Sequence, residues 1–417
     1  MGRDGSITRR AFFGGAAFAA LQLLAPASAV AEVGSGAWDA SSETPVWVDS
    51  IGRKVEIPAE VKRIVPSGVY AESVIASIDS GLLVSGTGGN RELSWLGVGA
   101  GLPVTGGLYS ASTPIDVEAI KAIAPDLIVD IGELKPTAEV DLDMLQEETG
   151  TPVVFVHSDF IHLCRAYEEL SRLLCSSKAA DLSEYALDVA NYIRAGASCV
   201  GDGERYSLYV GEGPDGSILR TDGSLLGEAV EEVGCDFPAI GGGARTREVD
   251  NGDLLGWDPD VIVLADRDCY GEYREGSLCS AIAWDCLSAG VFGCVRGSAI
   301  VGGLWFGDLS PLSRQLIGSL YLGNLLYPDV YKYEYGDVVE EYYSLFFNKS
   351  AATNAVFNMA EKPLLSVDAI KAKKEARQRK FQEAVAAEIA YEKQWQKEQE
   401  EKAQEILEQA KQLADER

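Results

Sequence analysis

Apolar positions along this chain switch between a helical period and short unbroken runs. Val117, Ile120 and Ile123 recur at near-helical spacing, and Pro125, which cannot continue a helix, ends the pattern. The run "LIVD" after Asp126 is bounded by that breaker, as expected of a strand buried on both faces in a parallel sheet. The stretch "VEAIKAIAPDLIVD" (117–130) thus predicts helix, Pro-Asp stop and buried strand. The chain then repeats it as "GDLLGWDPDVIVLAD" (252–266). Leu254 and Trp257 stand for Ile120 and Ile123, Pro259-Asp260 for Pro125-Asp126, and "VIVL" for "LIVD".

The flanks repeat as well. Upstream, "RIVPSGVYAESVIASID" and "YSLYVGEGPDGSILRTDGSLLGEAVEEVG" each run from an apolar strand through a glycine-containing turn into a helical pattern. Downstream, "TGTPVVFVHSDF" and "VRGSAIVGGLWF" each supply another strand and an aromatic-bearing loop. Two lobes of similar build follow. The first spans 46–159, opening on a small hairpin around Gly52. Residues 160–203 carry two helical patterns, the second about 30 Å long at 1.5 Å per residue, long enough to join the lobes rigidly. The second lobe spans 204–350 and closes in an aromatic helical region. Residues 351–417 form a linker and a charged helical tail; the last fifty lack glycine and proline and mix both charge signs. A coiled-coil partner through 366–417 stays open, although Phe381, Val385, Ile389 and Trp395 do not sustain a heptad. The fold class is therefore α/β: two similar lobes with parallel-sheet cores joined by one rigid interlobe helix, plus a long C-terminal charged helix.

At the amino terminus, Arg9-Arg10 precede Ala-Phe-Phe, an apolar run and small residues at Ala29 and Ala31, the pattern of a twin-arginine export signal over 1–31. A retained membrane anchor fits less well, because the run is short and broken by glycines. No cysteine stands at the cleavage site, so no lipid anchor is expected there. Residues 32–45, rich in glycine and serine, read as a flexible leader. The destination is a periplasm or an outer cell surface.

Charge and cysteine content narrow the chemistry. A net charge of -28 argues against a nucleic-acid partner, which needs a basic face to displace counterions. Eight cysteines in an exported chain permit disulfides, among them local pairs such as Cys269 with Cys279 or Cys286 with Cys294, while others serve as buried apolar residues. With no CxxC and only two histidines, a zinc or iron–sulfur site has little to be built from.

The segments "VDSIGRKVEIPAEVKRIV" (48–65), "DVEAIKAIAPDLIVD" (116–130), "GTPVVFVHSD" (150–159), "SLLGEAVEEVGC" (224–235), "LLGWDPDVIVLAD" (254–266) and "LYPDVY" (326–331) occur in the order found in substrate-binding proteins of iron-complex and vitamin B12 ABC importers. Between about 46 and 350 the chain resembles that family. The resemblance implies ligand held in a cleft between the lobes and, on each lobe, one acidic residue that docks on the permease. Glu118, seven residues before Pro125, matches the first; Gly252 occupies the second, leaving neighbouring Asp253 or Asp250 as the substitute. Loops at strand ends line such a cleft, which points to Tyr70, Asn90, Arg91, Tyr109, Arg220, Arg245, Arg247, Trp305 and Phe306. Tyr70, Arg91, Arg220 and Trp305 are the favoured ligand contacts, since aromatics suit flat ligands and arginines pair with anionic chelates. No metal ligand is assigned, because neither histidine matches the positions used by relatives that bind bare metals. No catalytic residue and no intrinsic cofactor is expected; the ligand implied is an iron chelate, haem or a corrinoid. Two other readings stay open: an interaction protein with a degenerate cleft acting through its C-terminal helix, and an exported small-molecule enzyme, for which the chain carries no GxSxG, HExxH or GxxxxGK[ST] motif.

Overall fold

The structure is a computed structural model, describing residues 35–42, 44–160, 162–212, 217–220, 230–236, 246–249, 259–264, 299–301 and 310–350, with single positions 253, 257, 375, 379, 383, 386, 390 and 394. The signal over 1–31 and the four cysteines from 269 to 294 lie outside the described residues. No disulfide joins Cys164, Cys175, Cys199 or Cys235. Among the described residues, no helix is long and apolar enough to cross a membrane.

Lobe one opens with strands β1 (Ala37–Trp38), β2 (Val46–Val48) and β3 (Lys54–Glu56), paired antiparallel in that order. Its central sheet is parallel, with β5 (Leu127–Gly132) between β4 (Ile64–Pro66) and β6 (Val153–His157). Helices α1 (Val69–Asp79), α2 (Arg91–Leu96), α3 (Val117–Ile123) and α4 (Ala138–Thr149) connect these strands. All six residues of β5, Asp130 included, are buried, the double-sided burial of an inner parallel strand.

The linker is two helices, α5 (Leu163–Leu173) and α6 (Ser177–Ser198). Leu163, Ala166, Tyr167, Leu170 and Leu173 put one buried face on α5, which packs along α6. The 22 residues of α6 make a rod of about 33 Å.

Lobe two contributes β7 (Leu208–Glu212), β8 (Ile218–Arg220), β9 (Thr246–Glu248), β10 (Val261–Leu264) and β11 (Ala299–Val301), in the sheet order β11-β10-β7-β8-β9. Strand β10 pairs parallel with both β7 and β11, as β5 does with β4 and β6. The repeated phrase therefore supplies the middle one of the three parallel strands in each lobe. Its Pro-Asp has the same task both times. Asp126 Oδ2 accepts the Lys62 and Arg63 backbone N–H groups at 2.8 and 2.9 Å, at the entry to β4. Asp260 Oδ2 accepts the Ser207 N–H and hydroxyl, both at 3.0 Å, at the entry to β7. Proline stops the helix and aspartate ties the middle parallel strand to its neighbour. The second sheet departs from expectation in being mixed, since β7, β8 and β9 pair antiparallel.

A helix α7 (Pro311–Ser313), a π-helical turn (Arg314–Gly318) and α8 (Ser319–Leu326) follow without a break, and α9 (Tyr335–Phe347) closes the described fold. These were expected to belong to lobe two. They straddle the molecule instead: α7 and α9 pack on α1 of lobe one, and α8 packs on α6. The aromatic side chains drive this, Tyr342 and Phe346 being fully buried beside Tyr167 and Tyr185.

The leader also departs from its expected flexibility. Trp38 meets Trp47 edge-on at 5.1 Å and donates its ring N–H to the Arg172 carbonyl at 3.3 Å. Gly36 is essential to that fit, because a Cβ there would lie 2.1 Å from Glu169 Oε1 and 2.8 Å from the Trp47 ring. Burying aromatic surface outweighs what glycine and serine content suggests. Burial lifts Glu169 from 4.5 to about 7, against the Gly36 N–H and the Ser50 hydroxyl, which lower it. Between those values the folded protein holds a proton that the unfolded chain has released, so this group's stabilisation is lost as pH rises from 4.5 to 7. The change amounts to about 3 kcal/mol. Glu169→Gln is expected to shift in stability relative to wild type by about that amount, in the variant's favour, when urea unfolding is compared at acid and mildly alkaline pH. A difference that stays constant with pH would refute this account of Glu169.

Candidate functional site

In each lobe the parallel strands present their C-terminal ends to the same edge, where the connecting loops gather. For lobe one that edge is described in detail. Ser67 and Tyr70 follow β4, Lys135 follows β5, and Ser158, Asp159 and His162 follow β6. The loop carrying Tyr109 folds over the end of β4, with the Leu108 N–H donating to the Ser67 carbonyl at 2.7 Å.

Tyr70 lies in the first turn of α1 and is 7% exposed. Its hydroxyl lies 2.7 Å from Ser158 Oγ and donates to Gln315 Oε1 at 2.5 Å. The ring thus pins the end of β6 to the π-helical turn, as a buried strut at the base of the loops. Arg91 is exposed at the start of α2, next to Asn90, whose side chain accepts from the Leu93 N–H at 3.1 Å. That bond makes Asn90 the cap of α2, and its amide also donates to Ser73 Oγ at 2.8 Å. Arg220 is not in a loop but is the last residue of β8, paired with Thr246. Strand β8 runs back antiparallel along β7, with Glu212 opposite Ile218, so Arg220 sits in from the edge where the parallel strands end. Trp305, Arg245, Phe306, Gly252 and Asp250 lie outside the described residues.

The two acidic residues tied by resemblance to docking differ in setting. Glu118, in the first turn of α3, has an 83% exposed side chain and pairs with Lys121 at 2.8 Å. Asp253 is 27% exposed and accepts from Arg247 at 2.8 Å, beside Trp257.

The rim of lobe one carries charge and ring surface together. Lys135 Nζ sits 3.9 Å above the Tyr109 ring, which is 39% exposed. Beneath them Asp130 is buried against the Ser67 hydroxyl; burial pushes its pKa up, and Lys135 and Ser67 oppose the shift.

The sequence assigns neither histidine a ligand role, yet the structure brings both together with Asp159. The ring centroids of His157 and His162 are 5.0 Å apart. His162 Nδ1 lies 2.6 Å from Asp159 Oδ2, and His157 Nε2 lies 3.8 Å from the same oxygen. Burial lowers the His157 pKa against the opposing pull of Asp159, while the His162 contacts hold Asp159 low in spite of its burial. The signal in the sequence was the spacing of "HSDFIH", two histidines and an acid within six residues at a strand end. By contrast, a 260 Å³ cavity lined by Ala76, Asp79, Lys178 and Phe347 lies at the far end of α1, away from the strand ends.

No protein-family model matches this sequence, and no curated protein matches it. Solved structures do. An ABC transporter solute-binding protein from Sulfurospirillum deleyianum superposes with a TM-score of 0.61 at 21% identity, covering 73% of this chain and 95% of that one. The TroA-like periplasmic binding protein FepB from Veillonella parvula gives 0.57 at 16% identity, covering 73% and 96%. The molybdate-bound periplasmic binding protein MolA from Haemophilus influenzae gives 0.56 at 17%, covering 73% and 98%. At these identities the likeness is one of fold.

Proposed function

We propose that this chain, which has the two-lobed fold of ABC-transporter solute-binding proteins, is an exported receptor that captures a metal chelate and delivers it to an importer's permease. The observation that carries this reading is the repeat itself. Each lobe turns the ends of three parallel strands to one edge, and a single rod of about 33 Å, α6, joins the lobes. That architecture holds a ligand between two surfaces and needs no catalytic group.

The chelate classes that suit the rim are ferric siderophores, haem and corrinoids. Tyr109 with Lys135 offers a ring and a cation to such a ligand, and exposed Arg91 offers a second cation. Trp305 and Arg220 stay in the reading as lobe two's candidates, with Arg220 the weaker because it stands within a strand. Tyr70 serves as the strut beneath the ligand. Glu118 is the docking residue for the permease: an exposed pair such as Glu118–Lys121 contributes about 0–1 kcal/mol, so a permease arginine displaces the lysine easily. Asp253 would first have to give up Arg247, which makes lobe two's contact the lesser one. The tail, helical and exposed at Glu375, Arg379, Glu383, Ala386, Ala390 and Gln394, is our candidate for what retains an unlipidated receptor at the envelope.

The test is a titration of the purified protein with haem, a corrinoid and several ferric siderophores, followed by absorbance and tryptophan quenching. One of them is expected to saturate at micromolar concentration or below, worth about 8 kcal/mol or more of binding free energy. No saturable response across the panel would remove the receptor reading in favour of the tail and its partner.

A further inference from the structure

The chain of 417 residues contains two histidines, and both lie at one place. His157 is the last residue of β6; the backbone then leaves the sheet through Ser158 and Asp159, and His162 sits just before α5. The three side chains have their ligand atoms within 4.8 Å of one another and are only partly exposed, at 13%, 18% and 17%. The structure assigns to His157, Asp159 and His162 a binding site for a divalent transition-metal ion, at the strand-end edge of lobe one.

Two imidazole nitrogens and one carboxylate oxygen form a donor set suited to zinc, nickel, cobalt or ferrous iron, and poorly suited to calcium or magnesium, which prefer all-oxygen shells. Three protein ligands leave coordination positions open. Those positions take water when the ion arrives alone, or donor atoms of a small chelator when the ion arrives as the centre of a complex.

The backbone around the triad is held by hydrogen bonds to Ser50 and Gly132, by one bond within the triad, and through the Ser158 side chain. The His157 N–H donates to Ser50 Oγ at 2.9 Å, and the Ser158 N–H donates to the Gly132 carbonyl at 3.0 Å. The His162 N–H donates to Asp159 Oδ1 at 2.7 Å, and Ser158 Oγ meets the Tyr70 hydroxyl at 2.7 Å. Ligands supported in this way lose little freedom when they converge on an ion. One adjustment is required. Metal–ligand distances of about 2.0–2.2 Å put neighbouring donor atoms about 3 Å apart, whereas His162 Nδ1 and Asp159 Oδ2 are 2.6 Å apart. An ion bound there would replace the proton of this hydrogen bond, which passes to His162 Nε2 in a neutral ring or to solvent from a protonated one.

The site stands on its own residues, whichever chelate the lobes hold, so its test is separate from the chelate panel above. Purified protein, first stripped with a chelator, is titrated with cobalt(II) by visible absorbance and with zinc(II) by calorimetry, under excess magnesium to occupy surface carboxylates. One equivalent is expected, with ligand-field bands and without the near-ultraviolet band of a cobalt–thiolate bond. His157→Ala and His162→Ala should each weaken binding at least tenfold, about 1.4 kcal/mol, and should abolish the zinc-dependent rise in melting temperature seen in wild type. Circular dichroism of each variant checks folding, and His162→Gln, which keeps a polar contact to Asp159, replaces any variant that does not fold. Repeating the titration with nickel(II) alone and with nickel(II) held in a tridentate chelator tells a free ion from a complexed one; binding in either form supports the site. Absence of a saturable band, a thiolate band, or unchanged affinity in the doubly substituted H157A/H162A protein would overturn it.

Discussion

Tyr331→Ala is expected to destabilise the fold by about 3–5 kcal/mol, the range for emptying a large aromatic from a packed core. The ring is fully buried where three parts of the chain meet. A Cβ added at Gly196 of α6 would lie 2.3 Å from it, and one added at Gly323 of α8 would lie 2.9 Å from it, so both glycines exist to let the ring in. Its single hydroxyl proton is shared between the Ile193 carbonyl at 2.9 Å and the Val233 carbonyl at 3.1 Å, tying the linker helix to lobe two. Tyr331→Phe keeps the ring and loses only those bonds, and should cost about 1–2 kcal/mol. Equilibrium urea unfolding of both variants separates the contributions. If alanine cost no more than phenylalanine, the ring would not be the wedge described.

Glu92→Ala should be nearly as severe, with a loss of about 3 kcal/mol or more, because it strands several buried donors at once. Glu92 is wholly buried and accepts from the Ser310 N–H at 3.0 Å, from Ser313 Oγ at 2.7 Å and from the Tyr343 hydroxyl at 2.6 Å. One carboxylate from α2 of lobe one therefore holds the start of α7 and the middle of α9. Each donor left without a partner costs about 1–3 kcal/mol, which sets the scale. Glu92→Gln retains one acceptor oxygen and should recover part of the loss. A double-mutant cycle with Ser313→Ala tests the link directly. Coupling indistinguishable from zero would mean that the contact does not tie lobe one to the returning helices.

The repeat was readable from the sequence because both its marks are local. Proline ends a helix by its own chemistry, and an unbroken apolar run such as 127–129 or 261–264 has few places to go except a two-faced sheet. The second duty of Asp126 and Asp260, capping the entry of the neighbouring strand, needed the strand order and was not readable. Trp38 illustrates the opposite error, since a glycine- and serine-rich setting hid an aromatic that finds Trp47 across the sheet. Arg220, in a stretch bounded by Gly216 and Gly223, looks like a loop residue until β8 is seen to return along β7. The His157–Asp159–His162 cluster has no periodicity to detect, as it straddles the end of a strand and the start of a helix. Its only trace was spacing, and that pattern gained meaning when the backbone turned out of β6.

The return of α7 and α9 to lobe one bears on how the protein is made. Helix α1 emerges from the ribosome early, but the surfaces that cover it come from residues 311–347, more than two hundred positions later. At about 5–20 residues per second, the interval is on the order of tens of seconds. Throughout that time α1 has its own lobe and the linker helices for cover, but not α7 and α9. The nascent chain is thus a client for holding factors until its final helices arrive, and a ribosome that stops before residue 311 leaves behind a first lobe with an open seam.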